Sequence, residues 1–220
     1  MSLSLRSIKP RYQVFKERQF AFSYVVSLLM LAFSLFVNYY ASIYAAESAS
    51  SSVTDIILSN IPIFDVDGLF VFGPLVLWVC VALLLLMYPN KVPFTVKSIA
   101  FFILIRAGFI SLTHIGPFNT VSPIESGANF LSYFSSGDDL FFSAHTGLPY
   151  LLALIYWESK LLRRVLVLCS MFFGVIVLMG HFHYSIDVAS AFFITYAIYH
   201  IALKVFKRDK VFFEHHIITE

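Results

Sequence analysis

Six apolar runs, each close to the length that crosses a bilayer, leave this chain little choice of fold. They cover about residues 20–45, 69–88, 94–113, 141–157, 165–180 and 184–206. In hydrocarbon the backbone amides and carbonyls must be bonded internally, and runs of this length achieve that as helices. Of 220 residues, 59% are hydrophobic and 13% charged, against about 25% charged in an average soluble domain. The first run is too long for the apolar core of a cleaved signal and follows a charged leader, so it reads as a retained span. The expectation is an all-α membrane protein with six transmembrane helices. A basic tail would occupy 1–18, the helical membrane domain 19–206 and a second tail 207–220. Cys80 and Cys169 lie within apolar runs, so no disulfide framework is expected.

Charge sets the expected orientation. Fourteen of the fifteen Lys and Arg lie in the N-terminal tail, around the second-to-third and fourth-to-fifth connections, or in the C-terminal tail. The other three connections carry none. The positive-inside rule then puts both termini in the cytoplasm of an integral multi-pass protein, in the plasma membrane or a bacterial inner membrane. The fifteenth cation, Arg106, falls inside the third run. Ten residues before Gly116, at about 1.5 Å per residue, its Cα would lie roughly 15 Å below the outer boundary.

Two polar islands interrupt the apolar pattern, and the orientation places both on the outer side. Residues 180–188 read G-H-F-H-Y-S-I-D-V, and residues 137–146 read G-D-D-L-F-F-S-A-H-T. With helix from Tyr184 onward, His183 and Asp187 share one face at i and i+4. A carboxylate there can hold the proton of one ring nitrogen and leave the other as base or nucleophile. His145 supplies a second imidazole able to protonate a leaving group. Ser143 and the amides after it open a helix, a ready site for phosphate oxygens. An ionisable residue inside a span costs several kcal/mol and wants a partner. For Arg106 the partner is either Asp187, as a structural ion pair, or a substrate phosphate, which suits a planar guanidinium. Together these groups describe phosphoryl transfer through a phosphohistidine.

The two motifs resemble the sphingomyelin synthase-like branch of the type 2 phosphatidate phosphatase superfamily. G-D-D-L-F-F-S-A-H-T and G-H-F-H-Y-S-I-D-V stand at the family's separation, and R-A-G-F-I-S-L-T-H-I-G-P resembles its third-span segment. The likeness covers about residues 100–206. It implies a six-helix core with its active site on the non-cytoplasmic face. It further implies His183 as nucleophile, Asp187 as its orienting partner, His145 as general acid and then base, and no metal or other cofactor. The chain departs from the pattern in three places. Ala144 replaces a common Gly, a second Phe precedes Ser143, and Val177 stands where the phosphatase branch carries an Arg six residues before the nucleophile. His181 is the candidate to take over part of that Arg's role.

The same departures bear on the substrate. A phosphomonoester carries close to two negative charges, whereas this outer face offers one Arg and a few His beside seven acids between Glu47 and Asp139. That balance favours a phosphodiester head group, with Asp138, Tyr133, Phe141 or Tyr184 holding an ammonium by charge and cation–π contact. His114, at the outer end of the third run, is a further head-group candidate. Membrane lipids are the expected partners and nucleic acid is not; oligomeric state is not legible. A lipid phosphate phosphatase is the alternative chemistry. Two other classes stay open at this level: a zinc hydrolase using His145, His183 and Asp187, and a lipid transporter or flippase with Arg106 and Asp187 as gating charges.

Overall fold

The computed structural model describes residues 9–120 and 140–214. Seven α-helices occur among them: α1 (Arg18–Glu47), α2 (Asp67–Met87), α3 (Val92–Leu112), α4 (Ala144–Ile155), α5 (Lys160–Met179), α6 (Ser185–Val205) and α7 (Lys207–Glu214). Five of these, α1, α2, α3, α5 and α6, are long and apolar enough to cross a membrane. Their bounds follow the apolar runs closely. The largest shift is at α5, which begins five residues before its apolar run. Ser159, capping the helix, accepts from the Leu162 amide, so Lys160, Arg163 and Arg164 are already helical.

The fourth apolar run folds differently from expectation. Its helix, α4, has 12 residues and is about 18 Å long, shorter than a bilayer's hydrocarbon core of about 30 Å. Helix length and composition therefore give five candidate spans, and a sixth crossing would need the non-helical chain on either side of α4. Such chain is tolerated at membrane depth where protein rather than lipid surrounds it. Burial fits this condition: Thr146, Gly147, Pro149 and the run from Leu151 to Ile155 are all buried.

The wrapping of α4 comes from small residues facing large ones. A Cβ on Gly147 would lie 2.7 Å from the Phe102 ring of α3 and 2.9 Å from the Thr195 hydroxyl of α6. The Ser170 hydroxyl of α5 donates to the Thr146 carbonyl at 2.7 Å. Close approach with hydrogen bonds between helices replaces the hydrophobic drive that lipid does not supply. Around this contact, Phe94, Ile99 and Phe102 of α3 join Leu151, Leu152, Ile155, Ala191 and Ile198 in the main core. The α1 helix packs along α3, and α2 lies against α5.

Both described chain ends gather at one end of this bundle. Residues Lys9–Lys16 form a 3-10 turn whose Tyr12 hydroxyl donates to the Leu86 carbonyl at 2.6 Å. The segment expected as a second tail instead contains α7. Phe212 packs edge-on to Phe20, and the Asn90 side chain donates to the Phe212 carbonyl. Lys97 of α3 bonds Asp209 of α7 and Ser23 of α1, both at 2.7 Å, and Ser23 donates in turn to Asp209. All three side chains are buried.

At the opposite end, the α1–α2 connection pairs with the chain leaving α3. The Ser50 amide donates to the His114 carbonyl and the Gly116 amide to the Ser51 carbonyl. Gly116 is required here, because a Cβ would sit 2.1 Å from the Ser50 carbonyl oxygen, and backbone cannot move aside as a side chain can. Gly116→Ala is expected to separate these strands of chain and cost about 1–3 kcal/mol. Thermal unfolding of the purified protein in detergent checks the prediction.

Candidate active site

The second island is built by the end of one helix and the start of the next. Gly180 is the C-cap of α5, and His181 takes a left-handed conformation at φ 56°. The Phe182 amide then reaches back to the Val177 carbonyl and the His181 amide to the Leu178 carbonyl, which satisfies two of the helix's last acceptors. This turn delivers His183 to the start of α6. Asp187 is the third residue of that helix, where a carboxylate is favoured by the helix dipole. Its Oδ2 accepts from the Tyr184 amide at 3.0 Å and from His183 Nδ1 at 3.2 Å. The carboxylate thus assigns the proton to Nδ1 and leaves Nε2 as the ring's lone-pair nitrogen. His183 and Asp187 are buried, and Asp187 Oδ1 has no protein partner.

The first island is brought against it by the backbone. The Ser143 amide donates to the Asp187 carbonyl at 3.1 Å, so the two islands touch. Ser143 is the N-cap of α4, yet its hydroxyl does not cap the helix; it is fully buried and makes no hydrogen bond. Just before it, Phe141 and Phe142 have φ of 140° and 25°. Left-handed backbone at such residues is costly, about 1–3 kcal/mol each, and must be imposed by surroundings. The surroundings are identifiable: Arg106 Nε donates to the Phe142 carbonyl at 3.2 Å, Phe142 packs on Phe102 and Phe109, and Phe141 stacks on Phe109. The additional phenylalanine of this island is therefore housed by a kink. Among the described residues, the three non-glycine positions with positive φ all lie in the two islands.

His145 stands in the first turn of α4. Its ring stacks on Phe70 of α2, with centroids 4.2 Å apart and planes 24° from parallel, and Phe70 packs in turn on Phe182 beside His183. Phe70 lies in a run that read only as a span, and nothing in its spacing marked it. Val177 is wholly buried in the cluster with Phe70 and Phe182, so the place of the phosphatase-branch Arg is apolar packing here.

The remaining expected residues divide. Arg106 is buried and its Nε donates to the Phe142 carbonyl, while Asp187 Oδ2 accepts from His183 and the Tyr184 amide and its Oδ1 makes no hydrogen bond. His181 is buried, with Nδ1 2.8 Å from the Thr120 carbonyl and Nε2 without a protein partner. Tyr184 does not face a head group. Its ring is 1% exposed, packed with Leu58 and Leu140, while its hydroxyl donates to the Gly116 carbonyl at 2.8 Å and accepts from the Val53 amide. A ring enclosed on both faces has no surface left for an ammonium. His114 is exposed and edge-on to Tyr44 of α1, and none of its contacts is with His145, His183 or Asp187. Asp138 and Tyr133 lie outside the described residues. Among the described residues no three His, Cys, Asp or Glu are gathered as a metal-ligand set, so His145 does not join His183 and Asp187 in that way.

Asp55, one of the seven acids between Glu47 and Asp139, holds a place that no local pattern marks. Its Oδ2 accepts from the Ser185 amide at 2.7 Å and the Ser185 hydroxyl at 2.8 Å, while Oδ1 accepts from the Ile57 and Leu58 amides. Burial pushes this carboxyl up, but the hydrogen bonds from Leu58, Ser185 and Ile57 outweigh it and hold it below the ordinary 3.8. A depressed folded-state pKa means stability present above the unfolded value and lost as pH falls through the folded one. Unfolding temperature is therefore expected to drop as pH is lowered below 3.8, by less in Asp55→Asn than in the native chain. Melting curves from pH 6 to about pH 3 compare the two directly.

Residues 137–204, which run from the first island through most of α6, match the family model described as PAP2 superfamily C-terminal. No curated protein and no solved structure matches the chain significantly. The matched stretch contains His183, Ser143, which meets Asp187 through the backbone, and His145, which is linked to the His183 turn through Phe70 and Phe182. The match covers 68 of the chain's 220 residues and is a likeness to a superfamily that comprises lipid phosphatases and phosphotransferases. Five helices among the described residues, two of them largely within the matched stretch, are long and apolar enough to cross a membrane, which fits a multi-pass membrane protein.

Proposed function

We propose that the protein transfers the phosphoryl head group of a phosphodiester lipid through a phosphohistidine, as a sphingomyelin synthase-like transferase or phospholipase C-like hydrolase. The observation that carries this reading is the His183 Nδ1–Asp187 bond, which turns Nε2 into a nucleophile beside the start of α4. Nε2 attacks phosphorus, the bond to the lipid oxygen breaks, and His145 delivers a proton to that oxygen. Water or a lipid hydroxyl then attacks the phosphohistidine while His145 takes back a proton, and the P–N bond breaks. Ser143 Oγ and the first amides of α4 are donors suited to phosphate oxygens, and the guanidinium of Arg106 adds the positive charge.

The reading includes six crossings, with α4 and its flanking chain as the fourth, both termini cytoplasmic and the site on the outer face. The partition of Lys and Arg supports that orientation. A single formal cation near the islands, with apolar Val177 in place of the phosphatase branch's Arg, favours a singly charged phosphodiester over a monoester. Incubation of purified protein with a phosphodiester lipid and with phosphatidate, followed by mass spectrometry of lipid products and of the acid-quenched protein, tests the proposal. Diacylglycerol release from the diester with a phospho-adduct on His183 is expected. Prompt orthophosphate from phosphatidate, with diesters untouched, would establish a lipid phosphate phosphatase instead.

A further inference from the structure

Two loops from outside the matched domain grip the turn that carries His183. The first amides of an α-helix lack the carbonyl four residues back that later amides bond, a general property of helix starts. Asp187 satisfies the first of them, at Tyr184. The next, at Ser185, is satisfied by Asp55, a residue 130 positions away, which also takes the Ser185 hydroxyl. Asp55 is itself fixed by the Ile57 and Leu58 amides on its other oxygen, so both oxygens and the loop behind them are held. Tyr184, between His183 and Ser185, is pinned by its hydroxyl to Val53 and Gly116. The first turn of α6 is thus clamped from the side of the α1–α2 connection at two adjacent residues.

We infer that Asp55 is a positioning residue for the nucleophile: through Ser185 it sets the first turn of α6, and with it the His183–Asp187 hydrogen bond. It touches neither His183 nor substrate in this reading, which rests on the role proposed for His183 above. Asparagine at position 55 retains one acceptor oxygen and replaces the other with a donor. It therefore cannot serve Ser185 and the Ile57–Leu58 amides together.

The test combines kinetics with the imidazole itself. Native protein, Asp55→Asn, Ser185→Ala and the double variant are compared for kcat and KM on the phosphodiester lipid, per folded molecule. Their His183 ring nitrogens are followed by ¹⁵N NMR across pH. Asp55→Asn is expected to lower kcat about tenfold or more with KM within about twofold, and Ser185→Ala to lower it less. The double variant should fall short of the product of the two effects, since both act through one contact. The His183 Nδ1 resonance should move toward that of a ring without a carboxylate partner. Glu47→Gln removes an exposed acid from the same outer side and should change none of these readings. A purely architectural role would lower the melting temperature while leaving kcat per folded molecule and the His183 titration at native values; that result overturns the inference. Should Asp55→Asn fail to fold, Ser185→Ala alone decides by the same two readings. Should the native protein turn over no phospholipid, the proposed function fails, yet the NMR comparison still decides whether Asp55 controls the His183 ring.

Discussion

Replacing His183 with alanine is expected to reduce turnover by about 10⁴-fold or more while leaving a folded protein. Removing the nucleophile of a covalent mechanism leaves only binding and electrostatic stabilisation. Its bond to Asp187 is a single hydrogen bond, so stability should fall by no more than about 1–3 kcal/mol. Asp187→Asn should approach the same kinetic loss, about 10²–10⁴-fold, because an amide no longer fixes the Nδ1–H tautomer. Initial rates on the phosphodiester lipid, set beside melting curves and protein mass after quenching, separate chemistry from folding. Retention of even a tenth of native activity by His183→Ala would remove it from the role of nucleophile.

The second large effect lies at the other end of the bundle and concerns folding alone. Asp209→Ala leaves the Lys97 ammonium buried without its carboxylate, and loss of one member of a buried pair typically costs about 3–5 kcal/mol. The double change Lys97→Met with Asp209→Leu removes both charges and should recover most of that loss. Unfolding of the three proteins in detergent gives the comparison. Equal destabilisation by the single and double variants would show that the contact of α7, rather than charge pairing, holds this end together. The prediction exists because α7 packs on α1 and α3 where a solvated tail was expected. Within Lys207–Glu214, the polar pattern concealed the two buried residues, Asp209 and Phe213, among the exposed Lys207, Arg208 and Glu214 and the half-buried Lys210.

Much of the architecture was legible from the chain because its causes are local. Each apolar run must bond its own backbone in lipid, so hydropathy alone locates α1, α2, α3, α5 and α6 to within a few residues. The fourth run misled on length: hydropathy registers what is shielded from water, and protein shields α4 as well as lipid would. The His183–Asp187 pair was equally legible, being a four-residue spacing on one helix. Ser143 was correctly marked as a helix start, but its Oγ does not cap that helix and remains buried without a partner.

Partner choice across the chain was not legible. Arg106 offered two anions on paper, and in the fold its Nε also holds a carbonyl 36 residues away that sits on a strained turn. Tyr184 looked like an aromatic wall for a head group and is an enclosed pin. Asp55 was one of seven acids counted between Glu47 and Asp139, and it caps the helix that carries Asp187. Taken alone, the sequence determined the membrane class, the candidate spans and the i, i+4 pairing of His183 with Asp187, since periodicity and burial cost act residue by residue. Only the tertiary structure decided which donor meets which acceptor. A hydrogen bond depends on distances of a few tenths of an ångström between groups up to 130 residues apart, and no local pattern encodes them.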